Sequence, residues 1–195
     1  MSKHARTLAL VVVGVLLGLI WLGTHSSSVT AGAVPRAQPQ VALLTYDVPA
    51  GTDSGANTGA TWTTRPLNTQ VYDPGNIVAL AGNKFTLKEG TYLIEAQQTI
   101  MGAIWTPKQF RGRLRNITDE TTEGVSLNVR VHEELNESAM IVSPIPPTLI
   151  VLHQQKVFEL QYYCETEDLN TWGLGYGPST GEIERYASVF IQKLQ

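Results

Sequence analysis

Residues 83–99 read NKFTLKEGTYLIEAQQT, and this stretch sets the grammar of the chain. Phe85 to Leu87 is a short apolar run, Lys88-Glu89-Gly90 is polar and closes on glycine, and Thr91 to Thr99 resumes as a longer run rich in residues that favour strands. Strand, turn, strand is the reading. Upstream, Gln40 to Tyr46 (QVALLTY) is apolar and runs into Pro49 to Gly59 (PAGTDSGANTG), a collection of loop residues. Leu67 to Tyr72 and Ile77 to Ala81 follow, punctuated by Asp73-Pro74-Gly75. Downstream, Phe110, Gly112 and Leu114 alternate with Arg111, Arg113 and Arg115, so a period of two puts three guanidinium groups on one face and a packing surface on the other.

Val125 to Val131, Thr148 to Leu152, Val157 to Glu165 and Tyr186 to Leu194 continue the pattern. That gives roughly ten short strands with turn signals between them, which predicts an all-β, antiparallel sandwich or barrel rather than βαβ units. No internal repeat supports a solenoid or propeller. Phe158, Leu160, Tyr162 and Cys164 share one face of their strand. In the last strand Ala187, Val189 and Ile191 lie on one face, and Phe190 and Leu194 on the other. A strand apolar on both faces should be central and covered twice, by the opposing sheet and by a partner surface or a loop such as Ser143 to Pro147.

The chain has 195 residues, of which 16% are charged, with a net charge of −3. No basic field exists to hold a phosphate backbone, so nucleic acid is not an expected partner. Cys164 is the single cysteine, which precludes an intrachain disulfide framework. At the amino terminus Lys3, His4 and Arg6 precede an uncharged run from Leu8 to Gly23 (LALVVVGVLLGLIWLG). The run reaches only about 24 Å as a helix, short of a hydrocarbon layer of roughly 30 Å. Two readings stay open. Ala31-Gly32-Ala33 suits a cleavable signal peptide, whereas the length of the run and Trp21 near its outer end suit an uncleaved anchor through residues 8–23. Either way the positive flank predicts export, with the carboxyl-terminal bulk outside a membrane or on a virion surface. Residues 24–40 are small, polar and proline-bearing, a flexible linker, which leaves residues 41–195 as one β domain.

Several of these phrases together resemble the jelly-roll superfamily of the complement-type globular head and tumour necrosis factor, especially its relatives in bacterial and phage surface or tail proteins. The carriers are Trp62 with Arg65-Pro66-Leu67-Asn68-Thr69, the phrase from Asn83 to Tyr92, and Arg113-Leu114-Arg115-Asn116-Ile117-Thr118-Asp119. Phe158 to Tyr162 with Cys164-Glu165-Thr166, and Ala187 to Ile191, complete them. The resemblance implies a ten-stranded jelly roll that packs as a homotrimer and serves as an adhesive, ligand-binding or virion-surface module. With that subunit number, the two-sided apolar pattern of the last strand makes Phe190 and Leu194 the expected interface residues.

No catalytic constellation emerges from the sequence. His132 and His153 lack metal-ligand spacing, Cys164 reads as a small buried hydrophobe, and Asp119, Glu120 and Glu123 read as a solvated turn without a calcium-loop spacing. No cofactor or metal is expected. Arg111, Arg113 and Arg115 carry two readings: a grip for an acidic glycan or protein ligand, or cross-strand pairing with Glu159 or Glu165. Asn116-Ile117-Thr118 and Asn136-Glu137-Ser138 are glycosylation sequons, meaningful only in a eukaryotic setting. A leader, a linker and a compact β domain describe a non-catalytic binding module, with a purely structural spike subunit as the alternative and a hydrolase built from scattered acids as the third.

Overall fold

A computed structural model describes residues 40–101, 108–131 and 139–194. The apolar run of residues 8–23, the segment ahead of residue 40, His132 and the sequon at Asn136 lie outside the described residues. Among the described residues no helix is long and apolar enough to cross a membrane.

Among the described residues twelve strands form two antiparallel sheets. The first sheet runs in the order β10 (Met140–Leu152), β6 (Gly90–Met101), β12 (Glu184–Lys193), β1 (Gln40–Val48), β3 (Thr69–Tyr72). The second runs β4 (Val78–Ala81), β5 (Lys84–Leu87), β11 (Lys156–Cys164), β7 (Lys108–Asn116), β8 (Thr121–Val125), with β2 (Trp62–Thr64) also paired to β11 and β9 (Val129–Val131) to β7. The all-β sandwich expected from the alternation is present, with two strands more than the resemblance implied.

The differences have local causes. β2 is three residues long and pairs far along the chain with β11, so no run marked it. Val125 to Val131, read as one strand, is divided because Ser126 turns inward and its hydroxyl accepts from Gly112 N at 2.7 Å and donates to Leu127 O at 2.9 Å. A side chain that bonds the local backbone competes with the ladder. β10 extends well ahead of Thr148 and carries Pro144, Pro146 and Pro147, with a register shift between Ile145 and Thr148. Prolines are tolerated there because β10 is an edge strand and they leave that edge short of donors for unwanted pairing.

Turns obey their residues. Gly82 and Asn83 both take positive φ, 58° and 64°, and join β4 to β5 as a two-residue hairpin loop. Asp73 accepts from Ile77 N at 2.9 Å and Val78 N at 3.1 Å, which closes the Asp-Pro-Gly turn.

Inward side chains form two apolar clusters. The larger includes Ala42, Leu44, Phe85, Tyr92, Ile94, Leu114, Phe158, Leu160, Val189 and Ile191, with Phe85 and Phe158 stacked at 5.5 Å. The smaller comprises Ile100, Phe110, Val131, Tyr162, Cys164 and Leu174. Polar groups lie between. Gln98 of β6 crosses the sandwich to donate to Gln161 O at 3.1 Å, and Gly112 is the residue beneath it because any Cβ there would collide with the Gln98 amide.

Arg65, just past β2, is fully buried. Its backbone N–H donates to Leu160 O of β11 at 2.8 Å, while one terminal nitrogen donates to Thr99 Oγ1 at 3.3 Å, Leu174 O at 3.3 Å and Tyr186 O at 3.1 Å. The Tyr46 ring lies 5.7 Å from the guanidinium carbon. Burial draws its pKa down to about 10, so the group stays charged at neutral pH. Arg65→Ala should cost about 3–5 kcal/mol in a urea melt, through a cavity and stranded acceptors. Arg65→Met, which refills the volume, should cost distinctly less. Equal losses in the two variants would contradict this account.

Tyr186 donates its hydroxyl to Thr52 O at 2.8 Å, and burial, with Glu184 and Asp53 nearby, pushes its pKa up to about 12. An acid whose pKa is raised by folding stabilises the native state fully below the unfolded value of about 10, and that contribution disappears as pH climbs through the folded value. Arg65, with its lowered pKa, acts in the opposite direction over the same alkaline window. The useful comparison is therefore wild type against Tyr186→Phe: the wild type should lose stability relative to the variant as pH rises from about 10 to about 12. Parallel pH–stability curves for the two chains would contradict it.

Candidate functional site

The outward face of the seven-stranded sheet is built in rows by the register of β2, β11 and β7. Trp62 lies opposite Tyr163, which lies opposite Arg111; Thr64 lies opposite Gln161, which lies opposite Arg113; Glu159 lies opposite Arg115. Period two along β11 places Glu159, Gln161 and Tyr163 on this face, with Glu165 just beyond the strand. Glu159 and Gln161 are buried although they point away from the core.

Across β2, β11 and β7 the polar groups are chained. Thr64 Oγ1 donates to Glu159 Oε2 at 2.9 Å, Gln161 Nε2 donates to Glu159 Oε1, and Arg113 Nε donates to Gln161 Oε1 at 2.6 Å. The Arg113 guanidinium stacks on Trp62 with its carbon 4.1 Å from the ring centroid. Burial and the neighbouring Arg115 pull the Arg113 pKa down, and Glu159 pulls it back up.

Beside Trp62 opens a groove of about 350 Å³, lined by Trp62, Tyr163, Gln109, Arg111, Asn128 and Glu165, with Phe110 at its base. The Trp62 and Tyr163 rings have centroids 5.6 Å apart and planes inclined at 52°. Arg113 covers Trp62 from outside the groove, since it does not line it. Glu165 N donates to Gln109 O at 2.9 Å, which holds the far end of the groove together.

No family model matches the chain, and neither does any curated protein. Solved structures do. Murine APRIL at pH 5.0, of the tumour necrosis factor family, superposes with a TM-score of 0.50 at 14% identity, covering 80% of this chain and 100% of that one. The globular domain of a zebrafish complement 1qA protein superposes with a TM-score of 0.40 at 12% identity, covering 80% of this chain and 95% of that one. The fold is the jelly roll of the tumour necrosis factor type.

Within this jelly roll the residues singled out in the sequence go to different places. Arg111 lines the groove, Arg113 braces Trp62, and Arg115 stands farther along β7, opposite Glu159. Among the described residues neither Glu159 nor Glu165 forms an ion pair with the row; Arg113 reaches Glu159 only through Gln161. Phe190 and Leu194 lie on the outward face of the other sheet. Asp119 bonds Lys156, which lowers the carboxyl pKa, and the Asn116 amide is buried and engaged by Asp119 and Glu123. The Cys164 thiol is buried and contacts Thr166 O at 3.1 Å, and His153 is exposed beyond β10.

Trp62, Tyr163, Gln109 and Asn128 line the groove without having been singled out as a site by sequence reasoning. The adjacent Tyr162 and Tyr163 were the available signal, since neighbouring tyrosines in one strand must face opposite ways and only Tyr162 belongs to the core. Arg113→Ala removes a cation–π contact and a charge-assisted hydrogen bond at a half-buried position, and should cost about 1–2 kcal/mol of stability. Chemical denaturation checks the magnitude. A neutral effect would mean that Trp62 is held by β2 alone.

Proposed function

We propose that the chain is an exported, non-catalytic binding module that assembles as a homotrimer through the outward face of its five-stranded sheet. On this reading the groove on the opposite sheet is left free for a glycan or protein ligand. The observation that carries assembly is the apolar outward face. Phe190 sits on β12, the middle strand, directly opposite Leu43 of β1 and Glu95 of β6. Leu149 pairs with Leu93, Val151 with Thr91, and Leu43 with Tyr72, so apolar side chains stand on both sides of Phe190, with Glu95 and Gln192 among them. Leu149, Val151, Tyr72 and Leu194 are 62%, 56%, 50% and 43% exposed.

Exposed apolar side chains gathered on one sheet face mark an interaction surface. Pro144 to Pro147 belongs to β10, not to a loop over the strand, and borders a hollow of about 220 Å³ beside Phe190, which is half-buried. The likeness to complement-type and tumour necrosis factor jelly rolls supplies the number three. Export rests on Lys3, His4 and Arg6 ahead of the apolar run from Leu8 to Gly23, and an uncleaved run would add a membrane anchor.

Sedimentation of the full-length chain in mild detergent across a dilution series tests assembly. The wild type should sediment as a trimer, and Phe190→Ala, losing about 2 kcal/mol or more if it is an interfacial hot spot, should dissociate at low concentration. A wild type that stays monomeric at every concentration reached would sink the proposal.

A further inference from the structure

We infer that the groove between Trp62, Tyr163 and Arg111 is a subsite for a neutral sugar ring. The inference rests on the reading of the groove as the ligand site and names the chemistry it selects. Size comes first. At about 350 Å³ the groove is at the small end of ligand sites, suited to one or two pyranose rings.

Its lining then narrows the choice. Arg111 and Glu165 both face the groove, and their charges cancel. A sulfate or carboxylate drawn to Arg111 would be repelled by Glu165, and a quaternary ammonium drawn to the aromatic rings would meet Arg111 beside them and Arg113 already stacked on Trp62. Hydroxyl groups fit both charges, because each donates and accepts: Arg111 only donates, Glu165 only accepts, and the Gln109 and Asn128 amides do both. The inclined Trp62 and Tyr163 rings offer an apolar surface to the C–H face of a pyranose, which packs on aromatic carbon without needing charge.

The full-length chain is titrated with neutral oligosaccharides (mannan, galactan, cellulose and chitin fragments), with heparin fragments and with polyuronate fragments, read by saturation-transfer NMR at low and high salt. The expected result is binding of a neutral oligosaccharide with little salt dependence, weakened at least about tenfold by Trp62→Ala or Tyr163→Ala. Glu165→Gln and Arg111→Gln should each weaken it less. Trp62→Phe keeps a ring and should retain most of the affinity, which separates loss of the surface from loss of the fold. Binding confined to heparin or polyuronate, abolished by Arg111→Gln and by salt, would overturn the sugar class while leaving the groove as a ligand site. Neutral-sugar binding indifferent to Trp62 and Tyr163 would remove the groove itself from the account. A panel in which no oligosaccharide binds would overturn the inference.

Discussion

The sandwich is pinned by a guanidinium that has no carboxylate. Arg65 joins the two sheets: its backbone bonds β11, its side chain bonds the β12 carbonyl of Tyr186, and the same nitrogen reaches β6 through Thr99 and the Leu174 loop. Two of its donors, Nε and the other terminal nitrogen, have no partner among the described residues. A buried charge satisfied only by neutral oxygens carries a desolvation cost that an apolar residue would avoid. What the arrangement supplies is position. Three separate segments, β6, β12 and the Leu174 loop, meet on one rigid planar group.

That position is inherited by the outer surface. Arg65 follows β2 directly, so fixing it fixes a three-residue strand too short to hold itself. From the other side Thr64 is tied to Glu159, and Glu159 to Gln161 and Arg113. β2 is therefore clamped from inside by Arg65 and from outside by the hydrogen-bonded chain. Trp62, at its start, is placed on the groove wall by both, and Arg113 then locks the ring. A binding surface built on held strands loses less entropy on occupation than one built on loops.

Much of this architecture was legible in the chain. Alternation in Phe110 to Arg115 and in Val157 to Glu165 placed core and surface correctly, and the two-sided apolar pattern of Tyr186 to Leu194 matched a strand in the middle of its sheet. The groove was less legible. Trp62 and Tyr163 are neighbours only because β2 lies antiparallel to β11, and no local pattern encodes that pairing. Arg65 was hidden for a different reason: arginine is almost always exposed, so burial is the last environment its presence suggests. Arg111, Arg113 and Arg115 illustrate the limit of period-two reasoning. It puts three groups on one face, but it does not say which faces a groove, which stacks on a ring and which stands apart. Those outcomes depend on the side chains that the pairing of β2 with β11 brings onto this face.

On the proposed reading the two outward faces divide the work between them, and that division would have an energetic consequence. The proposed assembly uses the sheet of β10, β6, β12, β1 and β3, while the groove is on the sheet of β11 and β7, so occupation of one would not obstruct the other. A shallow groove whose lining charges cancel gives modest affinity for a single ring, because hydroxyl contacts replace equally good contacts with water. Three copies joined through the first sheet would repeat the groove three times in fixed geometry. On a ligand that itself repeats, the second and third contacts become intramolecular, and avidity can exceed single-site affinity by about 10²–10⁴ without any new contact. The uncovered apolar face and the weakly charged groove therefore favour each other: a module built for one weak site gains most from a fold that presents several.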